Sequence, residues 1–334
     1  MKENDLVSFI IPIFNNSINQ LNNCLSSIKK VKVAKEIIVI DDGSSKELSN
    51  KYKKISKKWN AKYFYKKNGG VSSARNYGIN MSAGIFITFV DCDDELQIKE
   101  INIKNILQYD VIFYSVEVYF IDKNVLTKYS LKNKREELSR QFLLKKSLKD
   151  GLMNWSVAKL YSRKFLERKN IKFDINRISG EDWKFVNDVV RANPKLLYIP
   201  DIFYLYKLDR DTSKNRVLSN PKISFENTAQ LYSDRLKIVK ESNIKNKKDL
   251  YIYLTTYLVN YIFSTYMTLV LNSKERINIY CSYSLHLINT LAQKEYLTTV
   301  NKFKIFLINS KSYYLIWIYN KLSLGYKRIK RKVN

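Results

Sequence analysis

Ile85–Asp94 reads IFITFVDCDD, six apolar or β-branched residues running straight into three carboxylates. A short, continuous apolar run of this kind is what a strand covered on both faces looks like. Asp91, Asp93 and Asp94 then stand at its carboxyl end, where clustered negative charge is costly unless a cation or solvent compensates it. In an extended segment Asp91 and Asp93 project to the same side. That suits a hard divalent ion that also binds a diphosphate, because such ions take few carboxylates and complete their shell with phosphate oxygens. A helix cap needs one such residue, not three.

The same alternation recurs upstream. Val7–Phe14, Glu36–Ile40 and Lys62–Tyr65 are predicted strands, and Tyr109–Val116 continues the series downstream. Between them Asn19–Lys30 carries Leu21, Cys24, Leu25 and Ile28 at helical spacing, and Lys46–Trp59 and Val71–Ala83 are also helical. Strand–helix alternation implies an α/β fold with a mostly parallel, Rossmann-like sheet flanked by helices, whose ligands lie beyond the carboxyl ends of the strands. Residues 136–193 read as three helices broken near Gly151 and Lys172–Gly180, and from about 220 the chain becomes helical throughout. A boundary near 215–220 gives two domains, 1–218 and 219–334.

The other strand ends are polar. Pro12, Phe14 and Asn15 follow the first. Asp41-Asp42-Gly43-Ser44 follows the second, where Gly43 supplies a turn and Ser44 a helix cap, leaving a carboxylate to accept from a base edge or a ribose hydroxyl. Asn68-Gly69-Gly70 follows the third and opens a helix whose free N–H groups attract phosphate or polar ligand atoms, with Arg75 on its first turns.

The bulk composition narrows the classes. A formal net charge of +28 favours an anionic partner, although Lys and Asn are abundant everywhere. Cys24, Cys92, Cys281 and the single His286 have no zinc-ligand spacing, and they suit a reducing cytoplasm. The apolar run at Val7–Phe14 is too short for a signal peptide. Tyr251–Ser273 has no charged residue, but its Thr, Asn, Ser and Tyr content favours a buried helix over a membrane span. The basic run Lys327–Lys332 behind the aromatic Tyr313–Tyr326 is a candidate contact with an anionic membrane surface, and equally a solvated charge run. Lysines spread along the whole chain without a nucleic-acid module leave no reason to expect nucleic acid.

Taken in order and spacing, VSFIIPIFN, EIIVIDDGSS, NGGVSSARNYGINMSAG, FITFVDCDDEL and GEDWKF resemble glycosyltransferase family 2. The likeness is dense over about residues 5–95 and looser through Trp155–Tyr161, Gly180–Phe185 and Ile202–Ser213. It implies the GT-A fold, followed here by a C-terminal α-helical region, and an inverting transfer of one sugar from a nucleoside diphosphate sugar, usually a UDP-sugar. In such an enzyme Pro12, Phe14 and Asn15 would line the base pocket, Asp42 or Asp41 would accept from the base, and Asn68 and Arg75 would close the pocket. Asp91-Cys92-Asp93 occupies the DxD position. There Asp91 would approach the ribose or sugar, and Asp93, with Asp91, would hold Mn²⁺ or Mg²⁺ against the diphosphate. The Glu181-Asp182 pair matches the catalytic base, with Asp182 the choice. Trp183 would stack on an acceptor sugar or serve the core. Lys207, Arg210 and Ser213 would belong to a segment closing on the diphosphate. The acceptor would be a surface glycan or lipid-linked saccharide of lipopolysaccharide or capsule type, handled at the inner face of the cytoplasmic membrane. The helical region would serve acceptor choice, self-association into a homo-oligomer, or membrane attachment. Without multiple spanning helices or a Gln-x-x-Arg-Trp sequence, a processive synthase is disfavoured. The competing readings are a degenerate relative that binds nucleotide or glycan without turnover, and a nucleotidyltransferase, which would carry a Gly-rich basic signature after the first strand.

Overall fold

The computed structural model describes residues 6–148, 151–177, 180–208, 220–241 and 247–333. They form two compact units, Met1–Asp209 and Arg210–Asn334. The expected boundary after residue 218 falls on residues outside the described set, as do Arg210 and Ser213.

The first unit is built on one sheet. Its strands are β1 (Val7–Ile13), β2 (Lys35–Asp41), β3 (Lys62–Tyr65), β4 (Phe86–Phe89), β5 (Glu95–Leu96), β6 (Val111–Phe120), β7 (Val125–Tyr129), β8 (Glu136–Leu138), β9 (Lys159–Ser162) and β10 (Leu196–Leu208). The order is β3-β2-β1-β4-β9-β6-β10-β5, with β7 on β6 and β8 on β10. The four strands read from the apolar runs are mutually parallel. Beyond β4 the sheet is mixed, because β9 runs antiparallel to both β4 and β6. The strand order reverses between β1 and β4, and such a switch point opens a crevice at the carboxyl ends of the strands.

Three helices cross over between the parallel strands: α1 (Ile18–Lys30), α2 (Lys46–Lys58) and α3 (Val71–Met81). Their starts follow from local chemistry. Ser17 and Gln20 form a reciprocal capping box on α1, and Ser45 caps α2. α2 buries only Tyr52 and Ser56, so its lysines sit on a solvated face. α3 turns Ala74, Arg75, Gly78 and Ile79 inward, which places a guanidinium inside the protein.

Residues 136–193 differ from the expected three helices. They hold β8, α4 (Arg140–Ser147), β9, α5 (Arg163–Arg168) and α6 (Glu181–Arg191). β9 is four residues long and buries Lys159, so its composition hides a strand that only its pairing with β4 and β6 creates. α6 starts at Gly180, which takes φ +75°, a left-handed conformation that glycine adopts without a Cβ penalty. Behind it Phe173 and Phe185 stack at 4.0 Å, and Phe89 meets both rings edge-on. Burying each such ring stabilises by about 1.5–3 kcal/mol.

The second unit is helical: α7 (Pro221–Glu241), α8 (Lys247–Asn272), α9 (Ile277–Leu291), α10 (Thr299–Asn309) and α11 (Tyr313–Val333). α8 contains the uncharged stretch Tyr251–Ser273 almost entirely. By length and composition it is long and apolar enough to cross a membrane. It nevertheless buries Leu254, Thr255, Leu258, Ile262, Thr265 and Leu269 within the protein. Its polar side chains are used there: Asn301 Nδ2 donates to Thr256 Oγ1, and Tyr232 and Thr255 hydroxyls lie 3.4 Å apart.

Candidate active site

Three strands end together. The registers pair Ile13 with Asp41 and Asp41 with Tyr65, so the segments after β1, β2 and β3 begin at one edge. The two aspartates there divide their work. Asp41 is fully buried, and both of its oxygens are taken: Oδ1 by the Ser44 amide, Oδ2 by the hydroxyls of Ser49 and Tyr63. It ties the β2 turn to α2 and β3, leaving no room for the base-accepting role offered for it. Asp42 accepts from the Gly69 amide at 3.1 Å and pairs with Lys66 Nζ at 2.5 Å. It therefore holds the Lys66–Gly70 loop and remains the one of the pair that borders the crevice.

Gly43 and Asn68 lock these two loops together. Gly43 has φ +85°, and a Cβ on it would stand 2.6 Å from the Asn68 amide nitrogen. The Asn68 side chain donates to the Asp42 carbonyl at 2.8 Å, so it frames the pocket wall while its own residue stays exposed. On the β1 side Phe14 is 51% exposed. Asn15 takes φ +52°, and its amide donates to Ser44 Oγ. Pro12 is half-buried in β1. The exposed Phe14 ring thus stands one residue beyond Ile13, at the edge where β1, β2 and β3 end.

The centre of the site is Arg75. Its guanidinium, 3% exposed, donates from Nη2 to Asp91 Oδ1 at 2.8 Å and from Nη1 to Asp182 Oδ1 at 2.7 Å, with Glu181 Oε1 at 3.8 Å. The Phe173 ring lies 5.2 Å beneath it. Burial works against its charge, but Asp182, Asp91 and Glu181 outweigh that and hold the proton more firmly than on a free arginine. This differs from the pocket-closing role expected of Arg75: its polar contacts run to the acidic turn after β4 and to the start of α6. One side chain thus joins two acidic motifs that are 91 positions apart in the chain, from Asp91 to Asp182.

The Asp91–Asp94 turn is held from β10. Tyr204 accepts from the Asp91 amide and donates to Asp94 Oδ2, each at 2.9 Å, and the Lys207 amide donates to Asp94 Oδ1 at 2.8 Å. Burial, then Asp91 and Asp93, push Asp94 up to about 9. Asp94 is thus a buried anchor. Cys92 is 2% exposed, its thiol raised by burial, so its side chain belongs to the core and not to a ligand surface. Asp93 is exposed, and its carboxyl is raised by the surrounding protein and by Asp91. Lys207 Nζ pairs with Glu95 at 2.5 Å beside it.

Asp182 has an asymmetric environment. Oδ1 accepts from Arg75 and from Ser156 Oγ at 2.7 Å. Oδ2 has no hydrogen-bond partner among the described residues. Burial raises its pKa, Arg75 opposes this, Asp91 adds to the rise, and Ser156 and Lys159 lower it. Glu181 is pushed up to about 7 by burial and by Asp182, against Arg75. The anchoring residues Ser156, Lys159 and Tyr204 lie in Trp155–Tyr161 and Ile202–Ser213, where the sequence assigned none of them a role. Lys159 is buried and donates to the carbonyls of Leu152, Trp155 and Val157, which sets the turn that presents Ser156. Trp183 is a core residue, 3% exposed and donating to the Ser147 carbonyl. The aromatic wall is instead Trp155 and Tyr206, half-buried with rings 5.4 Å apart. Tyr206 is near enough for Asp94, Asp91, Asp93 and Asp182 all to raise its hydroxyl, after burial.

Among the described residues no three His, Cys, Asp or Glu side chains converge as a metal cage. The donor set still fits a hard divalent ion, since the exposed Asp93 carboxylate and Asp91 Oδ2 are oxygen ligands of the right kind. Such an ion would complete its shell with ligand phosphates.

The family model described as Glycosyl transferase family 2 matches residues 8–168. GgaB of Bacillus subtilis strain 168, a minor teichoic acid biosynthesis protein, is 28% identical over 217 residues, 62% of this chain and 23% of that protein. GlyA of Streptococcus pneumoniae serotype 4, a glycosyltransferase, is 27% identical over 232 residues, 65% of this chain and 32% of its own. The chain therefore spans only about a quarter to a third of the length of these two relatives. The crystal structure of S. aureus TarS 1–349 in complex with UDP superimposes with a TM-score of 0.55 at 17% identity, over 86% of this chain and 90% of that one. With the parallel β3-β2-β1-β4 core and the acidic turn after β4, the family-model match identifies residues 8–168, just under half of the chain, as a glycosyl transferase family 2 domain.

Proposed function

We propose that the first unit transfers one sugar from a nucleoside diphosphate sugar, a UDP-sugar in particular, to a hydroxyl of a glycan or lipid-linked acceptor, with inversion at the anomeric carbon. The observation that carries this reading is the Arg75 bridge, which brings the donor-side acidic turn and the candidate base within the span of one guanidinium. Uridine as the base is supported by the crystallised TarS complexes with UDP and UDP-GlcNAc.

The nucleotide base would lie against Phe14, with Asp42 offering an acceptor group. The acceptor hydroxyl would sit against Asp182 Oδ2, the oxygen left without a partner. Its oxygen attacks the anomeric carbon, its proton passes to Oδ2, and the bond to the diphosphate breaks with the electron pair leaving on the phosphate oxygen. Oδ1 stays anchored by Arg75 and Ser156, so the carboxylate is oriented before the acceptor arrives. A base of this kind supplies about 10²–10⁴-fold in rate. Mn²⁺ or Mg²⁺ on Asp93 and Asp91 would neutralise charge on the departing diphosphate. Trp155 and Tyr206 would stack on the sugar rings.

Calorimetry of the full chain with nucleoside diphosphates and their sugars, with Mn²⁺ and with chelator, tests this reading. Metal-dependent binding of the uridine series, lost in Asp93→Ala, is expected. Well-folded protein that binds no member of the series would move the weight to a relative that holds glycan without turnover.

A further inference from the structure

The helical unit leaves an aromatic face uncovered. On α10, Phe303 and Phe306 are 50% and 59% exposed, although Leu307 and Ile308 of the same helix are buried. On α11, Tyr314, Ile318 and Leu322 follow one another at one-turn spacing and are 68%, 46% and 70% exposed, with Trp317 beside them at 44%. The two helices meet at one ring pair. Phe303 lies 6.3 Å from the Tyr319 ring and 6.4 Å from Phe306.

The charge around the face is mostly basic: Lys274 Nζ lies 5.4 Å from the Tyr314 ring, with the exposed Glu275 next to it in sequence. Lys302, Lys311 and Lys321 are exposed, and Lys321 Nζ lies 5.5 Å from the Trp317 ring. From Leu297 onward the sequence contains no Asp or Glu at all. A second copy of this chain seated on the face would set these lysines chiefly against their equals. A surface of anionic headgroups over an apolar layer pairs with the lysines and takes up the rings. Trp, Tyr and Phe rimmed by Lys is the composition of helices that lie in a bilayer interface.

We infer that the α10–α11 face docks the protein on an anionic lipid bilayer, with the aromatic side chains in the interfacial layer and the lysines among the headgroups. This goes beyond the transferase reading and uses none of its residues. The basic run Lys327–Lys332 is not part of the face argued here.

The test is flotation of the full chain with vesicles of phosphatidylcholine alone and of phosphatidylcholine with phosphatidylglycerol. Binding to the anionic vesicles only is expected, weakened by high salt. The double variant Phe306→Ser, Trp317→Ser should lower partitioning by at least about tenfold, from the apolar area it removes. Lys302→Glu, Lys311→Glu and Lys321→Glu together should lower it on the order of 100-fold. Thermal melting of each variant checks that it is folded. Equal binding of neutral and anionic vesicles overturns the inference, as does a folded double variant that still binds like the wild type. A light-scattering dimer abolished by Phe306→Ser, Trp317→Ser, in protein that ignores vesicles, assigns the face to a second copy and overturns it as well. Failure of nucleotide binding in the calorimetry above bears on the transferase reading alone.

Discussion

Replacing Arg75 with Met keeps an unbranched apolar stem but removes the guanidinium over Phe173 and its charge between Asp91, Asp182 and Glu181. Two charge-assisted hydrogen bonds disappear, each worth about 1.5–3 kcal/mol net. Breaking a buried ion pair on one side costs about 3–5 kcal/mol, because the remaining charge is left uncompensated. The carboxyls relieve part of this by taking up a proton, which is easy for Glu181 since it already titrates at about 7. The lower end, about 3 kcal/mol, is therefore expected at neutral pH, or roughly 6–12 °C in melting temperature for a domain of this size. The pH dependence has a definite sign. Glu181 is raised from 4.5 to about 7, so between those values the folded protein binds more protons than the unfolded chain. Its contribution to stability is thus greatest below about pH 4.5 and declines as pH rises through 7. Arg75 lowers both Glu181 and Asp182, so without it both carboxyls titrate higher and the decline extends further. Calorimetric melts of wild type and Arg75→Met at about pH 5 and about pH 8 measure this directly. The deficit of the variant should be larger at the higher pH, and its sugar transfer should fall with the melt intact at the lower one. An equal deficit at both, or none, would refute the bridge as the element that holds the two acidic motifs together.

Asp182→Asn should lower kcat by about 10²–10⁴-fold while nucleotide binding by calorimetry is retained, and near-normal turnover would remove Asp182 as the base. Ser156→Ala removes a hydrogen bond that lowers the Asp182 pKa, so the acid limb of the kcat/KM profile should move to higher pH with the alkaline plateau little changed. Tyr204→Phe leaves the Asp91 amide and the Asp94 carboxyl without their shared partner. A loss of about 1–3 kcal/mol in a denaturant titration is expected, and a neutral result would mean the turn is held elsewhere.

The parallel half of the fold and most of its ligand edge were legible in the chain. Apolar β-branched runs declare buried strands, and carboxylates or glycines at their carboxyl ends are locally costly unless a ligand or turn uses them. Val7–Ile13, Lys35–Asp41 and Phe86–Phe89 are strands for that reason, and Asp42, Asp91, Asp93, Glu181 and Asp182 stand where the motifs put them. β9 was not legible, because a four-residue strand carrying a buried lysine has neither length nor alternation to announce it. Of the mixed half of the sheet, β6 was legible, from Tyr109–Val116.

Roles within the motifs were decided by contacts between distant residues. Nothing local distinguishes Asp41 from Asp42. The hydroxyls of Ser49 and Tyr63 and the Ser44 amide consume the first, and the loop of Gly69 meets the second. Arg75 reads as a helix residue near a glycine loop, and only the tertiary structure sets it between Asp91 and Asp182. Trp183 and Trp155 are equal in sequence, yet one is core and the other is half-buried against Tyr206. Amino-acid type and local spacing are enough to set strand, helix and charge at an edge, because those follow from near neighbours along the chain. Which of two identical side chains is anchored and which is free depends on the donors that folding brings to it, and those come from elsewhere in the chain.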